Sequence, residues 1–265
     1  MSVVGLASRG RAVARAARHV NTLPKTPANF AALTPLDFLE RAALVFPDSE
    51  AVRHGALSRS WSETRDRAVA LASALRSRFG VGRDDVVQCM LANTPEFAEA
   101  HFGVPMSGAT LGSINTRLDA RAIAFILRHS RAKLFVVDSE FAAVARAALA
   151  ALGDAAPPLV AVLDGARDGA DGAADAAFAR ASAACEYEEL VAEGDAAFAW
   201  PRPDDEWDAL ALNYTSGTTG DPKGSARARL PAQGAFPRIM CGCLLILPVF
   251  ARSRAGACST TAART

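Results

Sequence analysis

Residues 86–138 read VVQCMLANTPEFAEAHFGVPMSGATLGSINTRLDARAIAFILRHSRAKLFVVD, and the class of the chain follows from how apolar runs alternate within them. VVQCMLA at 86–92, ATLGSI at 109–114 and KLFVVD at 133–138 are short and dense in β-branched and other apolar residues. Between them lie a helix opened by Thr94 and Pro95 and a helix through DARAIAFILRH at 119–129. The alternation continues with a helix through FAAVARAALAAL (141–152) and a strand LVAVLD (159–164). Runs that are apolar on both faces are what a buried parallel sheet requires, since helices cover each side of it. The expected class is therefore α/β, a mostly parallel sheet flanked by helices.

Upstream, Thr34 is placed to cap a helix with Pro35 in its first turn, and Leu36, Leu39, Ala43 and Phe46 form its apolar stripe up to Pro47. A second helix is signalled by Ser62 as its cap, by Ala68, Leu71, Ala72, Leu75 and Phe79, and by Gly80 as its stop. Downstream, GARDGADGAADAAFARASAA (165–184) has no aliphatic stripe to bury, which predicts a flexible surface loop. A short helix at YEELVAEG (187–194), an acidic turn PDDEWD (203–208) and a strand ALALNY (209–214) follow. No internal repeat is visible.

The totals describe an ordinary globular chain: 265 residues, 51% apolar, 22% charged, net charge +1. That balance gives no global pull toward nucleic acid, and the arginine runs lack interleaved aromatics. Five cysteines at scattered spacings suggest a reduced compartment rather than a disulfide framework. The longest apolar run, Ile239 to Phe250, is interrupted by Pro248 and falls short of the roughly 20 residues a bilayer span needs, so no transmembrane segment is expected. Residues 1–23 are acid-free, and Arg11, Arg15 and Arg18 fall on one helical face, the pattern of a mitochondrial transit peptide; a frayed basic terminus has the same composition. His19, His54, His101 and His129 lie far apart, with no pair at metal-ligand spacing, so packing or surface roles are expected for them and no metal site.

The strand ALALNY runs into YTSGTTGDPKG at 214–224. Gly217, Gly220 and Gly224 open backbone angles closed to other residues, so successive N–H groups can turn toward one anion. Thr215, Ser216, Thr218 and Thr219 add hydroxyl donors, and Lys223 adds a mobile positive charge suited to phosphate. Gly224 after Lys223 and the glycine spacing exclude a Walker A loop. A solvated Ser/Thr-rich hairpin is the commoner fate of such clusters, but this string directly follows an apolar strand.

YTSGTTGDPKG resembles the phosphate-loop signature of the AMP-forming acyl-CoA synthetases of the adenylate-forming ligase superfamily. LTPLDFLERAALVFPD, EAHFGVPMSGATLGSINTRLDARAIAFILRHSRAKLFVVD and EYEELVAEGD are similar to the branch acting on short- and medium-chain fatty acids. The resemblance spans about residues 24–224 and implies the N-terminal portion of the AMP-binding domain. It implies that a carboxylate attacks the α-phosphate of ATP to give an acyl-adenylate and pyrophosphate, after which the thiol of coenzyme A displaces AMP. It implies that Thr215 through Lys223, with Gly224, hold the β- and γ-phosphates together with Mg2+, an electrostatic role rather than a nucleophilic one. The implied partners are the small molecules fatty acid, ATP and coenzyme A, with no nucleic acid.

Residues 225–265 contain no Asp or Glu, while the preceding residues hold all 28 acids. Six arginines and Cys241, Cys243 and Cys258 complete the change, which suggests a tail outside the family's fold. The family's adenine pocket, ribose-binding acid and C-terminal catalytic lysine have no counterpart after Gly224. Three expectations result: the ligase half of an acyl-CoA synthetase; a truncated, non-catalytic chain with residual phosphate binding, which makes no acyl-CoA by itself; or an adenylation domain loading a carrier protein. The compartment expected from the N-terminus is mitochondrial, with cytoplasmic and peroxisomal alternatives.

Overall fold

The computed structural model describes residues 24, 26, 28–163, 170–215 and 223–226. The arginines at 11, 15 and 18, Cys241, Cys243 and Cys258, and the tail from 227 onward lie outside the described residues. The chain divides at residue 33 into two units. In the first, Asn29 closes a turn, its Oδ1 accepting from the Thr26 amide at 2.8 Å and the Thr26 hydroxyl at 3.1 Å.

The second unit runs α1 (Leu36–Val45), β1 (Glu50–His54), β2 (Leu57–Ser60), α2 (Trp61–Phe79), β3 (Val86–Met90), α3 (Pro95–Met106), β4 (Thr110–Ser113), α4 (Ala120–Ser130), β5 (Leu134–Asp138), α5 (Ala142–Leu152), β6 (Leu159–Val162), α6 (Ala170–Ser182), β7 (Cys185–Glu186), α7 (Tyr187–Glu193), β8 (Ala211–Thr215) and β9 (Lys223–Ala226). Strands β1 and β2 form an antiparallel ribbon. The others build one sheet in the order β7-β6-β5-β3-β4-β8-β9. Its first six strands are parallel, as the apolar runs required, and β9 is antiparallel to β8.

Each strand sends alternate side chains to opposite faces, and the two faces receive different helices. Val87, Cys89, Leu111 and Val136 pack with Leu71 and Leu75 of α2, Val104 of α3 and Leu190 of α7. Met90, Phe135, Val137 and Leu159 pack with Ile123, Ile126 and Leu127 of α4 and Ala145 and Ala148 of α5. Leu36 and Leu39 of α1 then cover the far side of α2 at Ala68, Val69 and Ala72. The α2 helix is thus apolar on two sides because it is sandwiched.

Several local expectations needed correction. The cap of α2 is Ser60, not Ser62: the Ser60 hydroxyl accepts from the Glu63 amide at 3.2 Å and Glu63 accepts from the Ser60 amide at 2.7 Å, a capping box. Its stop is as read, with Gly80 left-handed at φ 61°. In α1 only Leu36 and Leu39 of the expected stripe are buried, while Phe46 is exposed along with Phe38, Leu44 and Val45. The stretch expected as a loop over 165–184 contains α6. Alanine is the strongest helix former, and small side chains suffice for a close seam in which buried Ala179 meets Ala142 of α5 and Ala161 of β6. Strand β9 carries Ser225 and Ala226 into the sheet, so ordered pairing continues two residues past the compositional break at Gly224.

Candidate functional site

In an open parallel sheet, ligands bind outside the carboxyl ends of the strands, most often where the connections leave on opposite faces. Here α3 leaves β3 on the face of α2, and α5 leaves the neighbouring β5 on the other face. The carboxyl edge therefore gathers the residues after β3 (Leu91 to Thr94), after β4 (Ile114 to Asp119), after β5 (Ser139 to Phe141), and the exit of β8 at Thr215.

The sequence string distributes across this edge as follows. Thr215 is the last residue of β8, and Lys223 and Gly224 open β9. Ser216, Gly217, Thr218, Thr219 and Gly220 lie outside the described residues. The β8–β9 register sets Thr215 opposite Lys223 and Tyr214 opposite Gly224. The first threonine of the string and its lysine are thereby cross-strand partners at the carboxyl edge. In the parallel direction, β8 is aligned by Leu111↔Ala211, Gly112↔Leu212 and Ser113↔Asn213.

Behind the exit, the Tyr214 hydroxyl and His129 Nδ1 of α4 lie 2.8 Å apart, with the two rings edge to face at 83°. Phe125 stacks on His129 from one turn earlier, centroids 5.6 Å apart. Burial raises the Tyr214 phenol above its ordinary value, with Ser130 acting against that rise. The sequence reading assigned His129 only a packing or surface role; 85 positions separate it from Tyr214, and no periodicity links them.

On the opposite face lies a buried ion network. Arg67 of α2 donates to Glu99 of α3 at 2.8 and 3.1 Å and to Glu188 of α7 at 2.6 and 3.0 Å. Arg59 of β2 also donates to Glu99, and the buried Tyr187 hydroxyl donates to Glu99 at 3.1 Å. Burial opposes the charge of Arg67, and its hydrogen bonds to Glu99 and Glu188 overcome it, holding the guanidinium above its ordinary value. Both carboxylate oxygens of Glu99 are engaged within the protein, so this network ties β2, α2, α3 and α7 together.

Among the described residues, no group of three or more His, Cys, Asp or Glu could hold a metal ion. The described cysteines, Cys89 and Cys185, are free thiols within the core. Burial alone pushes the Cys89 thiol up to about 12 and also raises Cys185. The thiolate is the reactive form, so at pH 8 only about one Cys89 in ten thousand is available. Peptide mapping after iodoacetamide treatment at pH 8 is expected to find Cys89 at least about a hundredfold less labelled in the native chain than in urea. Equal labelling in both would show that the strand opens readily.

The AMP-binding enzyme family matches residues 39–227. The acetate/butyrate–CoA ligase of Arabidopsis thaliana, described as peroxisomal, is 44% identical over 214 residues, 78% of this chain and 37% of the relative. The 2-methylpropanoate–CoA ligase of Humulus lupulus is 42% identical over 204 residues, 76% of this chain and 36% of the relative. The chain thus spans little more than a third of the length of these relatives. Among solved structures, an anthranilate CoA ligase in complex with anthranoyl-AMP aligns over 77% of this chain and 36% of its own, with TM-score 0.62 and 22% identity. A putative long-chain-fatty-acid CoA ligase from Rhodopseudomonas palustris aligns over 74% and 44%, with TM-score 0.58 and 25% identity.

Proposed function

The chain belongs to the AMP-binding enzyme family, and from that premise we propose that it supplies the ATP-phosphate-binding part of an acyl-CoA ligase acting on short carboxylic acids. The observation that carries this is the β8–β9 pairing, which sets Thr215 opposite Lys223 at the carboxyl edge of the sheet. The relatives' names, acetate, butyrate and 2-methylpropanoate CoA ligases, support a short aliphatic acid as the substrate.

The proposed chemistry proceeds in two balanced steps. The carboxylate oxygen bonds to the α-phosphorus of ATP and the α–β bridging bond breaks, giving acyl-AMP and pyrophosphate. The thiol sulfur of coenzyme A then bonds to the acyl carbon, AMP leaves with the bridging oxygen, and the thiol proton is released. Thr215, Ser216, Thr218, Thr219 and the backbone of Gly217, Gly220 and Gly224 orient the β- and γ-phosphates, and Lys223 offsets the charge that grows on departing pyrophosphate. Mg2+ is a hard cation that takes oxygen ligands, phosphate oxygens above all; the hydroxyls of Thr215, Ser216, Thr218 and Thr219 would suit it beside the phosphates, where it would supply further charge neutralisation. Peroxisomal appears in the descriptions of two relatives, which supports the peroxisomal alternative over the mitochondrial expectation.

Titration of the full chain with Mg·ATP tests this. Lys223→Ala is expected to weaken binding by about 10- to 100-fold, the range for one charge-assisted contact. Equal affinity for the parent and variant chains would sink the proposal. With the acids named above, ATP-dependent consumption of the coenzyme A thiol, rather than of a carrier thiol, would separate the ligase from a carrier-loading domain.

A further inference from the structure

We infer that His129 and Tyr214 form a positioning pair that fixes the end of β8, and with it the place where Thr215 and Lys223 are presented. The inference rests on the nucleotide-binding role proposed above and adds His129, which the sequence string does not contain, and a role for Tyr214 at the head of that string. Its ground is a gap in the backbone pairing. The β4 register against β8 ends at Ser113↔Asn213, so Tyr214 and Thr215 extend past the last β4 partner. On their other side they pair with Gly224 and Lys223 of β9, the outermost strand of the sheet among the described residues. A strand end paired on one side alone has fewer backbone hydrogen bonds to fix it than one paired on both.

The Tyr214 side chain closes that gap. It points to the face of α4 and packs against the core that contains Ile123, Ile126 and Leu127. Its hydroxyl meets His129 Nδ1 at 2.8 Å, and His129 is itself held by Phe125, whose ring stacks on it at 20°. The helix is anchored in turn, with Asp119 capping its first turn and Ile123, Ile126 and Leu127 buried. Tyr214 therefore couples the strand end to a rigid element, and it immediately precedes Thr215. Its cross-strand partner Gly224 has no side chain to pack against it.

The test uses the full chain with Tyr214→Phe, His129→Ala, the double variant and His129→Asn, whose amide can occupy the place of Nδ1. Tyr214→Phe and His129→Ala are each expected to weaken Mg·ATP binding about fivefold, the effect of one neutral hydrogen bond, and the double variant no more than either alone. His129→Asn is expected to recover most of the affinity. In parallel, native-state amide exchange should speed up at Tyr214, Thr215, Lys223 and Gly224 while β3 and β5 keep the parent's protection. Unchanged exchange at those amides in Tyr214→Phe would overturn the inference, as would additive effects in the double variant or a failure of His129→Asn to rescue. If the parent chain does not bind Mg·ATP, the proposed function fails, and the exchange measurement still decides whether the pair holds the strand.

Discussion

Replacing Glu99 by alanine is expected to destabilise the chain by about 3–5 kcal/mol, the cost of stranding buried charge by removing its partner. Glu99 has a side chain only 2% exposed, and it separates two guanidiniums whose own side chains are 12% and 22% exposed, those of Arg59 and Arg67. Without the carboxylate the arginines face one another across the vacated space, and Arg67 retains only Glu188, whose side chain is 56% exposed and solvent-screened. The Tyr187 hydroxyl, buried with its ring, loses its acceptor Glu99 as well. Glu99→Gln keeps the shape and one acceptor oxygen and should cost less. Urea unfolding followed by circular dichroism measures both, and a midpoint for Glu99→Ala within error of the parent would show that the network contributes nothing to holding α2, α3 and α7 together. The more instructive variant is Arg59→Met with Arg67→Met and Glu99→Met, since removing the three least exposed charges at once, and leaving only the half-exposed Glu188, should recover much of the loss.

This network also marks where sequence reading ends. Arg59 and Glu99 are 40 positions apart, and Arg67 and Glu188 are 121 apart. Nothing in the composition of α2, α3 or α7 distinguishes these charges from solvated ones. The parallel strands, by contrast, were legible because burial on both faces leaves an unbroken apolar run, as in LFVV at 134–137. Helix stops were legible at Gly80, where the backbone is left-handed. The start of α2 was misplaced because Ser60 and Ser62 both precede an apolar face, and only the reciprocal bonds with Glu63 choose between them. Helix α6 was missed because its seam is made of Ala179 on Ala142 and Ala161, side chains too small to register as a stripe.

The candidate site divides along the same line. A string of glycines, hydroxyls and one lysine announces anion chemistry by its types alone. That Thr215 faces Lys223 depends on a hairpin whose second strand includes Ser225 and Ala226, residues of the acid-free tail. Those two residues carry no side-chain signal for a strand; they pair because the edge of β8 offers unsatisfied backbone groups. The anchor at His129 comes from a helix 85 positions earlier and could be found only by folding the chain.

Gly194→Ala is expected to be comparably damaging, for a reason that involves no charge. Gly194 ends α7 at φ −81°, a value open to any residue, so the requirement for glycine is not conformational. A Cβ there would sit 1.9 Å from the carbonyl oxygen of Ala70 and 2.5 Å from its carbonyl carbon. Those atoms belong to the middle of α2, whose neighbouring Val69 and Leu71 pack in opposite directions against α1 and the sheet. Unlike a flexible side chain, that backbone cannot yield, so the last turn of α7 must move away. Such a shift would strain the Arg67–Glu188 and Arg78–Glu193 pairs along the same seam. Overpacking of this kind costs about 1–3 kcal/mol when neighbours can adjust, and more where they cannot. Gly112 is the contrasting case: there the added Cβ would meet the side-chain amide of Gln88, whose Oε1 lies 2.1 Å away and whose torsions can turn. The expected order of thermal stability is therefore parent, then Gly112→Ala, then Gly194→Ala, read from melting curves of the full chain. A reversed order would place the rigid contact at the sheet centre rather than at the α2–α7 seam, and with it the element on which Glu99 and its partners depend.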